Sequence, residues 1–419
     1  MFLSYFKILK RRNFFFLWFG QVVSQFGDRL TQIALIGFAS NIYQSSSKLA
    51  FTLSMTIIPV LVFSPISGVY VDRWSKRKTM YISDLIRSAC IFLIPLSVFK
   101  MHFPFLIYIL IFLSFTVGRF FIPAKMAFVP RIISKDEIFM ANSLISVTAT
   151  VAAIFGVGLG GIIVESCGVK TAFVIDGFTF LVSGLAILFI RKEEKGRFVM
   201  EDIIHIGKDA VNKVKQSFLW ELHEGIKYIF NSDETRYAFR AFFFLYSYIG
   251  AVSIIFMRFV QNTLGSLTKD LGFMAVALGG GIFLGSLVYG RIADKFNVKK
   301  VINAATLIAS IFLMFFTVFL KAYPDSLYAV LLSFLFGLII SPLFIGVNSL
   351  IHRESDQQLL GRIFSGLEFT AHLGLLLAMF IAAFFADIFS PYRVIISICL
   401  IGLVFSLIFI YQDGKGKRV

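Results

Sequence analysis

Apolar residues run in stretches too long for the interior of a water-soluble helix bundle. Ile91 to Leu96, Phe103 to Val117, Val330 to Ile340 and Leu373 to Phe385 carry almost no charge. A bilayer core of about 30 Å needs about 20 such residues per helix. The polar punctuation between the runs predicts twelve helical spans, at 14–43, 49–71, 80–99, 103–128, 139–165, 171–190, 237–261, 271–293, 300–320, 327–350, 362–388 and 392–411. The sequence thus divides into 1–191, 192–236 and 237–419, with six spans on either side of a polar middle.

That middle segment breaks the pattern in a second way. Ile203, Ile206, Val211, Val214, Phe218, Leu222, Ile226 and Ile229 recur at helical spacing among Lys208, Lys213, Lys215, Glu221 and Lys227. Such spacing predicts an amphipathic helix lying along a membrane face and linking the two halves.

Charge orients the spans. Alternate loops fall on opposite sides, and one side collects 28 of the 40 basic residues against 6 on the other, with 6 inside spans. Basic loops face the cytoplasm, so both termini are expected there. The net charge of +16 is thereby explained without nucleic acid, because these residues face anionic headgroups. Lys7, Lys10, Arg11 and Arg12 precede the first span, but 14–43 is too long for a signal peptide and is expected to be retained.

Composition agrees, with 58% hydrophobic and 15% charged residues against about 45–50% and 25% in soluble domains. Cys90, Cys167 and Cys399 are far apart and the five histidines form no ligand pair, so neither a disulfide framework nor a metal site is expected. No Gly-rich loop ends in Lys-Ser or Lys-Thr, which argues against a nucleotide-driven pump. No cofactor is expected; an ion gradient is the energy source left. No His/Asp/Glu cluster with catalytic spacing points to an enzyme.

The two halves echo each other. Gly68, Asp72, Arg73, Lys76, Arg77 and Lys78 follow span two, and Gly290, Asp294, Lys295, Lys299 and Lys300 follow span eight, with Gly and Asp both returning at an offset of 222. Six spans, a linker and six more is the layout of transporters built from repeated halves. In this repeated element Gly is expected to let helices approach closely, the acid to cap a helix end, and the basic run to stay at the headgroups. Together they form a candidate cytoplasmic latch.

Gly68 through Lys78 resembles the signature loop of the major facilitator superfamily, with Ser75 where the family usually has Gly. Trp18 to Asp28, Pro123 to Arg131, Met140 to Leu144 and Glu221 to Phe230 resemble the macrolide-efflux and enterobactin-exporter branch. Gly156-Val-Gly-Leu-Gly-Gly161 is similar to the Gly-rich antiporter motif of span five, with Val157 in place of Pro. The resemblance covers nearly the whole chain. It implies an all-α integral membrane protein, twelve transmembrane helices in two pseudo-symmetric six-helix bundles, with spans one, four, seven and ten lining a central cavity worked by alternating access.

An acid at mid-bilayer costs about 2.5–3.5 kcal/mol on insertion scales, so it needs a partner, water or a proton. Asp28 in span one and Arg119 in span four lie at similar depth and are expected to pair, either as a proton switch or as a static salt bridge; Arg29 is a second candidate for either role. Glu368 and His372, one turn apart in span eleven, form a second titratable pair or pack structurally. Asp84 and Arg87 read as a local pair. Asp176 and Arg258 are placed near outer helix ends, close to water. Tyr246, Ser247, Tyr248 and Ser253 in span seven, and Ser341, Pro342 and Asn348 in span ten, interrupt apolar runs and line either a cavity or the lipid face. A cavity of aromatics with a few polar groups suits a small amphipathic substrate.

The function expected is therefore proton-coupled efflux of drugs or siderophore-like metabolites by a monomer in a bacterial inner membrane. Lysophospholipid movement between leaflets is the alternative within transport, and a non-transporting membrane receptor is the alternative of another class.

Overall fold

The computed structural model describes residues 7–43, 45–97, 105–191, 233–266, 268–292, 297–354 and 360–415. Among them every regular element is a helix. In chain order these are α1 (Arg12–Ile42), α2 (Ser46–Arg73), α3 (Lys76–Pro95) and α4 (Leu106–Ile132). A 3-10 turn, Lys135–Glu137, leads into the 51-residue stretch Ile138–Leu188. That stretch bends at Gly168, whose φ of +83° only glycine adopts readily; α5 lies before the bend and α6 after it. Then follow α7 (Asp233–Leu264), α8 (Lys269–Ile292), α9 (Val298–Ala322), α10 (Ser326–Glu354), α11 (Leu360–Ile388) and α12 (Pro391–Lys415).

Nine of the described stretches, Ile138–Leu188 counted as one, are long and apolar enough to cross a membrane. The two helices that fall short are α1 and α3. They carry Asp28, Arg29, Asp84 and Arg87, so what lowers their hydropathy is the chemistry considered below. The expected amphipathic linker lies in 192–232, outside the described residues, and α7 begins before the expected start of span seven.

Contacts divide the chain into two compact units, residues 1–39 with 52–219, and residues 40–51 with 220–419. In the first unit α3 packs on α4 and on the Ile138–Leu188 stretch. Its core gathers Phe14, Leu17, Met80, Phe128, Ile187 and Ile190, all buried. In the second unit α8 lies against α10, α7 against α11, and α9 against α10 and α12. The α8–α10 contact is backbone to backbone. A Cβ on Gly281 would stand 2.1 Å from the Phe334 carbonyl, and one on Gly337 would stand 2.3 Å from the Leu278 carbonyl. Small residues at such crossings give dispersion contact where lipid removes any hydrophobic drive between helices.

Residues 40–51 belong to the second unit for a visible reason. Arg258 donates to the carbonyls of Tyr43 and Ser45, Asp387 accepts from the backbone N–H of Ser46 and Ser47 and from Ser45 Oγ, and Ser40 donates to Gln261. Arg258 was expected near water at a helix end. It is buried, and capping these carbonyls is what its charge does there.

Outward-facing side chains are apolar. Phe105, Met126 and Phe139 in the first unit, and Phe283, Leu327 and Ile381 in the second, are all well exposed. Such a surface suits lipid and would be an aggregation hazard in water.

Candidate functional site

The polar network of the first unit is built on α1. Residues 21, 24, 28 and 31 recur one turn apart; Gln21, Ser24 and Thr31 of this row are buried and Asp28 is half-buried. Asp28 forms an ion pair with Arg87 of α3. The Asp28 side chain is 29% exposed and that of Arg87 only 9%. The Arg87 guanidinium lies 3.9 Å from the centroid of the Phe180 ring on α6. On its α4 side lies Gly118, where an added Cβ would sit 3.3 Å from the guanidinium carbon. A glycine at 118 thus leaves the room in which a planar cation stacks on an aromatic face, and such contacts strengthen as water is excluded.

Two further carboxylates stand behind this pair. Asp84, one turn before Arg87 on α3, is 1% exposed and accepts a 2.6 Å hydrogen bond from Ser183 Oγ. Asp176 of α6 is fully buried; its two oxygens accept from Thr31 at 2.5 Å and Thr179 at 2.9 Å. Lys125 of α4 donates to Gln21 at 2.9 Å. Helix α1 reaches α6 closely enough that a Cβ on Gly27 would lie 2.0 Å from Thr179 Oγ1.

Several expectations are corrected here. Asp28, expected to pair with Arg119, forms an ion pair with Arg87. Gly118 presents its face of α4 to the Arg87 guanidinium, and the next residue leaves the helix about 100° away. Arg119 is half-buried on that other face. Asp84 and Arg87, expected to satisfy each other locally, direct their hydrogen bonds to α6 and α1. Asp176, expected close to water, is sealed between α1 and α6. Arg29 donates to Gln32 at 3.0 Å on its own helix, and its Cβ lies 2.8 Å from where a Cβ on Gly156 would be. The Gly-rich run of α5 therefore serves close packing against α1.

In the second unit the expected substrate residues lie on α7 and α10. Tyr246 packs its ring on Phe242 and stands 6.4 Å from the His372 ring. Glu368, Asn348, Asp294 and Lys295 lie outside the described side chains. Tyr248 turns toward Cys399, 3.9 Å from its sulfur. Ser253 and Ser341 donate to the carbonyls of Gly250 and Leu338. Ser341 is buried and packs against Gly285 between α8 and α10.

The repeated loop is also clarified. Nothing among the described residues lies within 4 Å of a Cβ built on Gly68 or Gly290. Asp72 and Arg73 are exposed. Lys76 donates to the carbonyls of Asp72 and Trp74, and Arg77 donates to those of Ile187 and Leu188. Both cations thus satisfy carbonyls left open at helix C-termini. Ser75, standing where Gly was usual, has φ −66° and accepts from Lys78 N–H, so it is the N-cap of α3. At the offset of 222 stands Asn297, which caps α9 in the same way.

Sequence reasoning had marked Asp28 but missed the roles of Arg87 and Asp176. The available signal was that both are ionisable residues inside apolar spans, next to helices carrying glycine at matching depth.

A protein-family model described as a transmembrane secretion effector matches residues 3–337. The MFS-type transporter YkuC of Bacillus subtilis (strain 168) is 26% identical over 371 residues, covering 86% of this chain and 82% of its own. Macrolide efflux protein A of Streptococcus pyogenes is 22% identical over 381 residues, covering 90% and 89%. A crystal structure of a POT family transporter with a thioalcohol-conjugated peptide shares the fold, with a TM-score of 0.70 at 13% identity over 96% of both chains.

Proposed function

The chain belongs to the transmembrane secretion effector family of the major facilitator superfamily, a multi-pass membrane transporter of the efflux branch, and on that premise we propose proton-coupled export of small amphipathic molecules by alternating access. The observation that carries the coupling is the Asp28–Arg87 pair. One partner is partly exposed and the other almost enclosed, so a proton arriving at Asp28 cancels the attraction holding Arg87. A buried cation left without its partner is costly, which gives the protonated and deprotonated forms different preferred packings. A transporter needs such a two-state element.

A substrate of mixed character is supported by the aromatic residues of α7, Phe242 and Tyr246, beside the titratable ring of His372. Macrolide efflux protein A is named for the efflux of macrolides, and we carry efflux of small molecules over to this chain. The orientation that fits export places both termini in the cytoplasm of a bacterial inner membrane, with α1 and α3 spanning it despite their charges. No cofactor enters this mechanism; the proton gradient supplies the energy.

The test is transport in proteoliposomes under an imposed pH gradient, with dyes, macrolides and lysophospholipids as probes. Gradient-driven movement of dyes or macrolides is expected. Asp28→Asn should reduce it at least tenfold while leaving expression intact. Movement of lysophospholipid alone, independent of the gradient, would replace this reading by lipid transport.

A further inference from the structure

The first unit holds two polar atoms that the mechanism above does not use. Asp84 Oδ1 and Arg87 Nε are both buried and have no hydrogen-bond partner among the described residues. They belong to side chains one turn apart on α3, a spacing at which an acid and a guanidinium can pair. One is an acceptor lacking a donor and the other a donor lacking an acceptor. An unmade hydrogen bond of this kind costs about 1–3 kcal/mol, more for charged groups. Leaving both unmade in one buried site suggests a second arrangement in which each satisfies the other.

The charges around Asp84 are few. Arg87 on its own helix, Asp28 from α1 and Lys125 from α4 act on it, and α6 supplies the Ser183 hydroxyl and, two turns earlier, Asp176. Lys125 gives its hydrogen bond to Gln21, and the ion pair of Arg87 is with Asp28. Among the described residues Asp84 therefore has one hydroxyl donor and no ion pair, in a place that is 1% exposed. An ionised carboxylate in that setting is unfavourable, whereas a carboxylic acid is not. The arrangement is also confined to one half. At the offset of 222 the second half has Gly250, Thr306 and Ala309 where the first has Asp28, Asp84 and Arg87. A device needed only to hold a six-helix bundle together would be expected in both.

We propose that Asp84 is a second proton-binding site and that Arg87 exchanges between it and Asp28. In the arrangement seen here Asp84 holds the proton and Arg87 neutralises Asp28. In the other, Arg87 Nε meets Asp84 Oδ1, Asp84 has given up its proton, and Asp28 has taken one up, so one guanidinium serves two carboxylates that share a single proton. The partly exposed Asp28 then exchanges that proton with water. This inference rests on the proton-coupled reading of the transporter and deepens it by naming where the proton waits.

Infrared difference spectra of the full-length protein in liposomes test it without a substrate. The wild type should show the C=O stretch of a buried, protonated carboxylic acid at about pH 7. Asp84→Asn should lose that band at every pH. Asp28→Asn should weaken it at about pH 7 and require a more acidic buffer to restore it, since Arg87 is then left to Asp84 alone. If Asp84→Asn does not reach the membrane, Ser183→Ala gives the same answer, by shifting the band upward as the hydrogen bond to it is lost. A wild type without the band, a band that survives Asp84→Asn or ignores Ser183→Ala, or an unchanged titration in Asp28→Asn each overturns the proposal. Gradient-driven transport in proteoliposomes is read separately, so coupling can fail while the band behaves as stated, and the two failures remain distinct.

Discussion

A carboxylate in an apolar helix keeps its charge only where something nearby compensates for lost water. Asp28 has Arg87, and Arg87 has the Phe180 face besides. Replacing Arg87 by Lys would keep the charge and lose the planar stack, so it is not a conservative change here. A second ionisable residue can be tested outside the apolar spans. Glu137, at the turn before α5, accepts from Ser134 Oγ at 2.7 Å and pairs with Arg11. Chiefly the Ser134 hydrogen bond, and with it Arg11, holds this carboxyl below its ordinary value of 4.5. A carboxyl lowered on folding stabilises the protein above its unfolded value, and that contribution disappears as pH falls through the folded value. Glu137→Gln should therefore lower the thermal unfolding midpoint slightly at neutral pH, with the difference from wild type closing below about pH 4. A difference that persists in acid would place the effect elsewhere.

At the scale of helices, the start of α3 and the start of α9 carry matched caps. Ser75 accepts from Lys78 N–H and Asn297 from Lys299 and Lys300 N–H. Ser75→Ala and Asn297→Ala should each cost about 1 kcal/mol, seen as a lower midpoint in detergent, while Ser75→Gly should cost only a few tenths. Equal losses for Ala and Gly at 75 would mean that the side-chain cap is idle. This cap was only half legible in the sequence. The recurrence of Gly, Asp and basic residues showed that the two loops correspond, and the offset placed Ser75 opposite Asn297. That Ser75 tolerates the family's glycine position follows from its φ of −66°, which no count of residues supplies. A small residue permits contact but does not bring a neighbour: at Gly68 and Gly290 no described atom lies within 4 Å of an added Cβ. Gly281 and Gly337 do bring two backbones together, because the helices bearing them are already side by side.

For the whole molecule, the orientation proposed for export places the bend at Gly168 on the outer face. Cys167, beside that bend, is free and exposed, whereas Cys90 and Cys399 are buried. A membrane-impermeant maleimide should label Cys167 in intact cells and spare the other two, and labelling only after the cells are opened would reverse the topology. The all-helical character of the described elements and their long apolar spans were readable in the chain. They follow from the length of apolar runs, which is a property of residues in order and needs no partner. That ionisable groups sit within spans was readable in the same way. Which of them meet was not. Asp28 was matched to Arg119 by depth and Asp84 to Arg87 by spacing, yet the packing gives Asp28 an ion pair with Arg87 and Asp84 a hydrogen bond from Ser183. Depth along a helix is fixed by sequence at about 1.5 Å per residue. The direction in which a side chain leaves the helix relative to its neighbours depends on how several helices pack at once, and only the tertiary structure decides that.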